Sequence, residues 1–140
     1  MTVIEYMADQ FDYDHTSDGF ILKSPLVYNM EVTGKGFRAD IVIKLEPGFR
    51  AKFPHVFWKN GAVGYNAAMV MRSALYSNRG FGMLQRADCD DMFHGVLGKC
   101  GISRWRADVV ETYFRWFRGD SYWKLDLSNA GKSKIHIDIR

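Results

Sequence analysis

One hundred and forty residues, 47% apolar and 15% aromatic, fit a single domain, and a chain of that size buries roughly two-thirds of its unfolded surface. Nowhere do about 18 apolar residues follow one another, which excludes a membrane-spanning helix, and Met1-Thr2-Val3-Ile4-Glu5 has neither the basic region nor the apolar run of a secretory leader. The formal charge of +3 is uneven: residues 1–20 hold Glu5, Asp9, Asp12, Asp14 and Asp18 with no Lys or Arg, a −5 that leaves +8 for the rest.

Residues 1–20 therefore read as an acidic N-terminal arm that folds back on a basic body or faces a partner. Residues 21–119 read as one α+β domain, and the stretch "GFILKSPLVYNMEVTGKGFRADIVIKLEPGFR", residues 19–50, leads into it. Period-two alternation broken at Thr33-Gly34-Lys35-Gly36 predicts a strand, a tight turn and a second strand. Tyr28, Met30 and Val32 share one apolar face, as do Ile41, Ile43 and Leu45, so one side of this hairpin needs cover.

Three helical segments can supply it. The first runs from near Asn60, a candidate cap, to Asn78-Arg79-Gly80, with glycine as its stop. The second carries Asp88, Asp90 and Asp91 in its first turns, then Met92, Phe93, Val96 and Leu97, and ends between Gly98 and Gly101. Ser103 caps the third, "RWRADVVETYFRWFRG". Residues 120–140 return to period two and predict a C-terminal β-hairpin extension, with Ile135, Ile137 and Ile139 on one face. Such a strand completes its own sheet or adds to a neighbour's, and self-completion is the expectation. The fold class is thus α+β, an N-terminal hairpin-based antiparallel sheet packed on three helices.

Cys89 and Cys100 are the only cysteines. One helix carrying both would hold them about 16 Å apart, beyond disulfide reach, so both are expected to be reduced packing residues.

The stretches "PGFRAKFPHVFW", "AMVMRSALY", "CDDMF" and "GISRWRADVVETYFRWFRG" follow one another in an order with a precedent. Together they resemble a phage and prophage domain family of unknown function. Its motifs are G-F-x-T-D-x-A-S-x-P, A-A-x-x-H-D-x-L-Y, A-D-x-x-F and G-[IV]-x-R-W-x-A, the last matched nearly residue for residue by Gly101 to Ala107. The family's H-D-x-x-Y helix is in outline similar to the catalytic helix of phospholipases A2, an analogy at the level of fold.

The departures matter more than the matches. Where the family carries His-Asp this chain has Arg72-Ser73, and where the family carries Thr-Asp it has Ala51-Lys52, while Asp90 is kept. A neutral imidazole accepts a proton from water and a carboxylate fixes its tautomer or binds a cation. Arginine does neither, being permanently protonated, and Lys52 puts positive charge where a metal needs negative charge. The resemblance therefore implies a degenerate member without catalytic residues, metal or cofactor. Arg72 falls among Tyr65, Ala68, Met69, Leu75 and Tyr76 on an apolar helix. A buried cation asks for a carboxylate, and Asp90 is the expected partner in a former-site ion pair.

Asp90 and His94 stand four apart, a spacing metals use, but no third ligand is indicated and polar packing is the simpler reading. Ser73 lacks a nucleophile turn. On the third helix Trp105, Val109, Tyr113 and Trp116 form one stripe, extended by Val110, Phe114 and Phe117, with Arg104, Arg106, Arg115 and Arg118 between. Aromatic residues among arginines can bind nucleic acid, yet the stripe is expected to face the core.

The expected function is that of a non-catalytic phage protein acting by protein–protein binding. A virion structural or assembly component, head or tail, made in the host cytoplasm, leads. The alternatives are a phage inhibitor that binds a host defence complex or host enzyme, and a small hydrolase with relocated catalytic groups at Asp90 or His94. The expected contacts are the acidic arm, through Asp9, Asp12, Asp14 and Asp18, and the isoleucine face of residues 135–139, toward virion proteins, a host protein or a second copy.

Overall fold

Period-two sequence builds the sheet that organises the molecule. Strands β4 (Leu26–Gly34) and β5 (Phe37–Leu45) pair antiparallel over nine residues, from Leu26 opposite Leu45 to Gly34 opposite Phe37. Gly36, at φ 82°, makes the turn between them in a backbone region that costs glycine little. Tyr28, Met30, Val32, Ile41, Ile43 and Leu45 all point inward and are buried, as the alternation predicts. This computed structural model describes residues 2–17, 19–52, 63–78, 80, 84–113 and 135–140.

Two further strands flank the hairpin. Strand β1 (Thr2–Ala8) pairs with β4, and β7 (Ile135–Ile139) pairs with β5. The order of this four-stranded sheet is β1-β4-β5-β7. A second sheet of three strands, β2 (Tyr13–His15), β3 (Gly19–Leu22) and β6 (Arg50–Lys52), has the order β2-β3-β6. The fold is α+β, with both sheets antiparallel and three helices, α1 (Val63–Ser77), α2 (Arg86–Lys99) and α3 (Arg104–Tyr113).

The residues expected to form an acidic arm are instead strands β1 and β2 and the start of β3, each paired into a sheet. Asp9, Asp12 and Asp14 sit exposed around β2, Asp14 at 3.9 Å from the Lys23 ammonium, whereas Asp18 lies outside the described residues. The single hairpin predicted over residues 19–50 is instead β3, β4 and β5 with the first residue of β6, divided between two sheets. At the C-terminus β7 completes the chain's own sheet: Ile135, Ile137 and Ile139 are half-buried against the core, and His136, Asp138 and Arg140 face out. The other arm of the expected C-terminal hairpin lies outside the described residues.

Helix ends follow their local chemistry. Asp88 accepts a hydrogen bond from the Gln85 backbone N–H at 3.1 Å and so caps the start of α2. That helix ends where Gly101 adopts φ 81° and the Ile102 N–H reaches back to the Leu97 carbonyl at 3.1 Å. The Ser103 carbonyl accepts the first bond of α3, from Ala107 at 3.0 Å. The predicted cap of α1, Asn60, lies outside the described residues. No described helix is long and apolar enough to cross a membrane.

Candidate functional site

Helix α1 is the centre of the molecule. From Tyr65 to Ser77 every residue is buried, so the helix is covered on all faces by its surroundings. Four polar side chains, Asn66, Arg72, Ser73 and Ser77, go in with it, and a buried polar group needs a partner. Asn66 donates to the Tyr13 hydroxyl on β2 at 3.1 Å, and the Ser73 hydroxyl accepts the Lys52 backbone N–H of β6 at 2.8 Å. Tyr28, on β4, donates its hydroxyl to the Ala67 carbonyl. Each bond fixes the rotation and height of α1 against a different strand.

Arg72, 2% exposed, lies with its guanidinium carbon 3.9 Å from the centroid of the Tyr76 ring, one turn along the same helix, and 5.7 Å from that of Phe93 on α2. Cations are drawn to such ring faces, most strongly where water is excluded. The Tyr76 hydroxyl donates to the Asp90 carboxylate and accepts from Arg86 Nε at 3.4 Å, both groups belonging to one face of α2. Tyr76 therefore joins two cations and one carboxylate.

Burial pulls the proton affinity of the Arg72 guanidinium below its usual value, and the nearby Tyr76 and Asp90 offset part of that pull. Tyr76 itself is pushed up to about 12, chiefly by burial, with Arg72 opposing and the Asp90 hydrogen bond adding to the rise. At neutral pH the hydroxyl is a firmly protonated donor, and it occupies an oxygen of Asp90. The arrangement holds helices together, and neither the guanidinium nor the phenol offers a proton acceptor near pH 7.

The four residues singled out from sequence thus fall into two adjoining contacts. Ser73 and Lys52 meet directly, through the Ser73 hydroxyl and the Lys52 backbone N–H. Arg72 and Asp90 meet around Tyr76, which mediates where sequence reasoning expected direct pairing. The signal that could have found this is the four-residue spacing of Arg72 and Tyr76, a spacing at which cation and ring stack on a helix.

His94, four residues on from Asp90, has its Nε2 2.8 Å from Asp108 of α3. No group of three or more His, Cys, Asp or Glu among the described residues could hold a metal ion. Cys89 and Cys100 are both free thiols, the first pushed up to about 12 by burial.

One expectation fails on α3. Trp105 and Val109 do not face the core: they are 64% and 55% exposed, whereas Ala107, on the opposite side of the helix, is buried. A side-chain tie between α3 and α2 runs from Asp108 to His94, at 2.8 Å. The side chains of Val110 and Tyr113, and the residues Phe114, Trp116 and Phe117, lie outside the described part of the structure.

No protein family, curated protein or solved structure matches this chain.

Proposed function

We propose that this chain is a phage protein without catalysis of its own, acting by protein–protein binding as a structural or assembly component of the virion. The observation that carries the reading is Arg72. In the phage-type pattern the chain resembles, its position is that of a histidine, and here a permanent cation stacks on a buried tyrosine ring. A group that cannot take a proton, enclosed where water would have to be activated, suits a packed helix junction better than a reaction centre.

Exposed apolar side chains on α3, Trp105 and Val109, supply the means of binding, since tryptophan is prominent among residues that anchor interfaces. Quantitative mass spectrometry of gradient-purified virions of the encoding phage tests the reading. A fixed integral number of copies per particle is the expected result. Expression in infected cells with absence from the particle refutes it and directs attention to a host target.

A further inference from the structure

Strand β7 lies at one edge of the four-stranded sheet, paired on one side with β5 and, among the described residues, with no strand on the other. Beside its last residue, Asp40 and Arg140 exchange both backbone hydrogen bonds, at 3.0 and 2.9 Å. Backbone groups of successive residues in a strand point to opposite sides, so the N–H and C=O of His136 and Asp138 also turn to β5. Those of Ile135, Ile137 and Ile139 turn to the open edge. At the far side of the sheet, β1 carries the register shift between Val3 and Glu5, an irregularity of the kind that blunts an edge. Strand β7 pairs with β5 without a shift and contains no proline or lysine.

The five residues of β7 read Ile-His-Ile-Asp-Ile. Laid antiparallel on itself about Ile137, the strand sets isoleucine against isoleucine at 135, 137 and 139, and His136 against Asp138 twice. Every opposed isoleucine pair then exchanges both backbone hydrogen bonds, since those are the residues whose groups face the edge. His136 and Asp138 fall at the positions between, where facing side chains come closest, with Cα atoms about 4.5 Å apart. Sliding the pair by two residues brings His136 against His136 or Asp138 against Asp138, so the match selects one register.

Both polar side chains have a neighbour in their own chain: Glu46 lies 3.9 Å from His136 Nε2, and Arg140 Nε lies 2.9 Å from Asp138 Oδ2. They are nonetheless 52% and 53% exposed, and a carboxylate accepts further hydrogen bonds at its other oxygen. Ile135, Ile137 and Ile139 are only half-buried against the core, and the same isoleucines of a second copy would cover more of them.

We propose that this protein forms a symmetric dimer in which two β7 strands pair antiparallel about Ile137, joining the two four-stranded sheets into one of eight strands. A two-fold interface requires a patch that complements itself, and β7 does so in backbone phase, apolar face and polar pairing together. An unrelated strand would have to repeat the same alternation to gain both His136–Asp138 matches. The inference goes beyond the binding reading above: it uses the sheet edge and not α3, and it holds whether or not the chain enters a virion. The contact is small, so an affinity on the order of micromolar is expected.

Amide hydrogen exchange of the full chain, read by NMR over a concentration series, tests the pairing residue by residue. The amides of His136 and Asp138 are expected to be protected at every concentration. Those of Ile137 and Ile139 should gain about 10-fold protection at a free concentration about ten times Kd. Sedimentation velocity over the same series should show monomer giving way to dimer and to nothing larger. His136→Glu and Asp138→Lys each remove both cross-strand matches and should weaken association about 10-fold, while an equimolar mixture of the two regains it. Both side chains are exposed, and unchanged melting curves exclude misfolding.

A wild type that stays monomeric at every concentration overturns the proposal. Ile137 and Ile139 amides equally protected in the monomer do so as well, because the chain's own residues then cover the edge. Dimers that persist in both variants with no gain on mixing place the contact elsewhere, which also overturns it. A monomer found in virions at fixed copy number refutes the dimer and leaves the binding reading standing; a dimer that behaves as described but is absent from virions does the reverse.

Discussion

Replacing Asp90 separates two accounts of how Arg72 is kept in the core. If Asp90 were its direct counterion, removing the charge would leave a buried cation alone and cost roughly 3–5 kcal/mol. The structure places the Tyr76 hydroxyl on Asp90 and the Tyr76 ring under Arg72. Asparagine in place of Asp90 keeps an oxygen for that hydroxyl and changes only its charge. Hydrogen bonds to charged groups contribute about 1.5–3 kcal/mol against about 0.5–1.5 for neutral ones, so Asp90→Asn should cost about 1 kcal/mol. Asp90→Ala removes the acceptor altogether. Arg86, which also touches the hydroxyl, has only donors and cannot replace it, so about 2–3 kcal/mol is expected. Urea unfolding followed by far-ultraviolet circular dichroism reads both, provided the slope is unchanged. In an Asp90→Ala background, Tyr76→Phe should then add little, because its hydroxyl has already lost its acceptor. An Asp90→Asn loss of 3 kcal/mol or more would restore the direct ion pair and refute the mediating role of Tyr76. An Asp90→Ala loss under about 0.5 kcal/mol would make Asp90 an ordinary surface residue.

Three further outcomes follow from particular contacts. At Gly19 a Cβ would stand 1.7 Å from the Ala51 carbonyl oxygen, so Gly19→Ala should disrupt the β3–β6 pairing and cost roughly 3 kcal/mol, the upper end of overpacking. Gly36→Ala, in open space at φ 82°, should cost only about 1 kcal/mol, and equal thermal shifts for the two variants would contradict this. Ser73→Ala deprives the Lys52 N–H of its acceptor and should cost about 1–2 kcal/mol by urea titration; no change would mean that water substitutes there. Alkaline stability should fall between about pH 10, where unfolded tyrosines ionise, and about pH 12, where Tyr76 does so in the folded state. Burial raises Tyr6, Tyr28 and Tyr65 as well, and a raised folded value means that stability is intact below the unfolded value and lost as pH rises. Melting temperatures over pH 9–11.5 should decline less steeply for Tyr76→Phe, and an identical decline would show that Tyr76 does not contribute.

The elements whose sequence pattern survives folding unchanged were the readable ones. In β4 and β5 the apolar face is strictly alternate and is the face that is buried, and the glycine-marked end of α2 lies where predicted. Strand β1 was missed for a physical reason. A register shift between Val3 and Glu5 lets Val3 and Tyr6, three apart, both turn toward the core, which breaks the period of two by which strands are recognised. The division into two sheets was equally hidden, since β3 and β6 are four and three residues long and pair across a wide span of chain. On α3 the pattern identified an apolar stripe but not the direction it faces, and Trp105 and Val109 are exposed while Ala107 is buried.

Helix α1 shows the same limit in its strongest form. A helix buried on every side has no polar face from which to infer its orientation, so its few polar residues carry the positional information instead. Asn66, Ser73 and Arg72 each answer to a different neighbour: Tyr13 on β2, Lys52 on β6, and Tyr76 with α2 beyond it. Sliding α1 by one residue would rotate it by about 100° and break all three contacts at once. The sequence pattern asks for a carboxylate beside Arg72 because Tyr76, one turn away, counts there as apolar surround and not as a ring that can receive a cation. A tyrosine whose face receives the guanidinium and whose hydroxyl reaches a half-buried aspartate links the buried cation to a carboxylate nearer the surface. That solution suits a junction whose requirement is position.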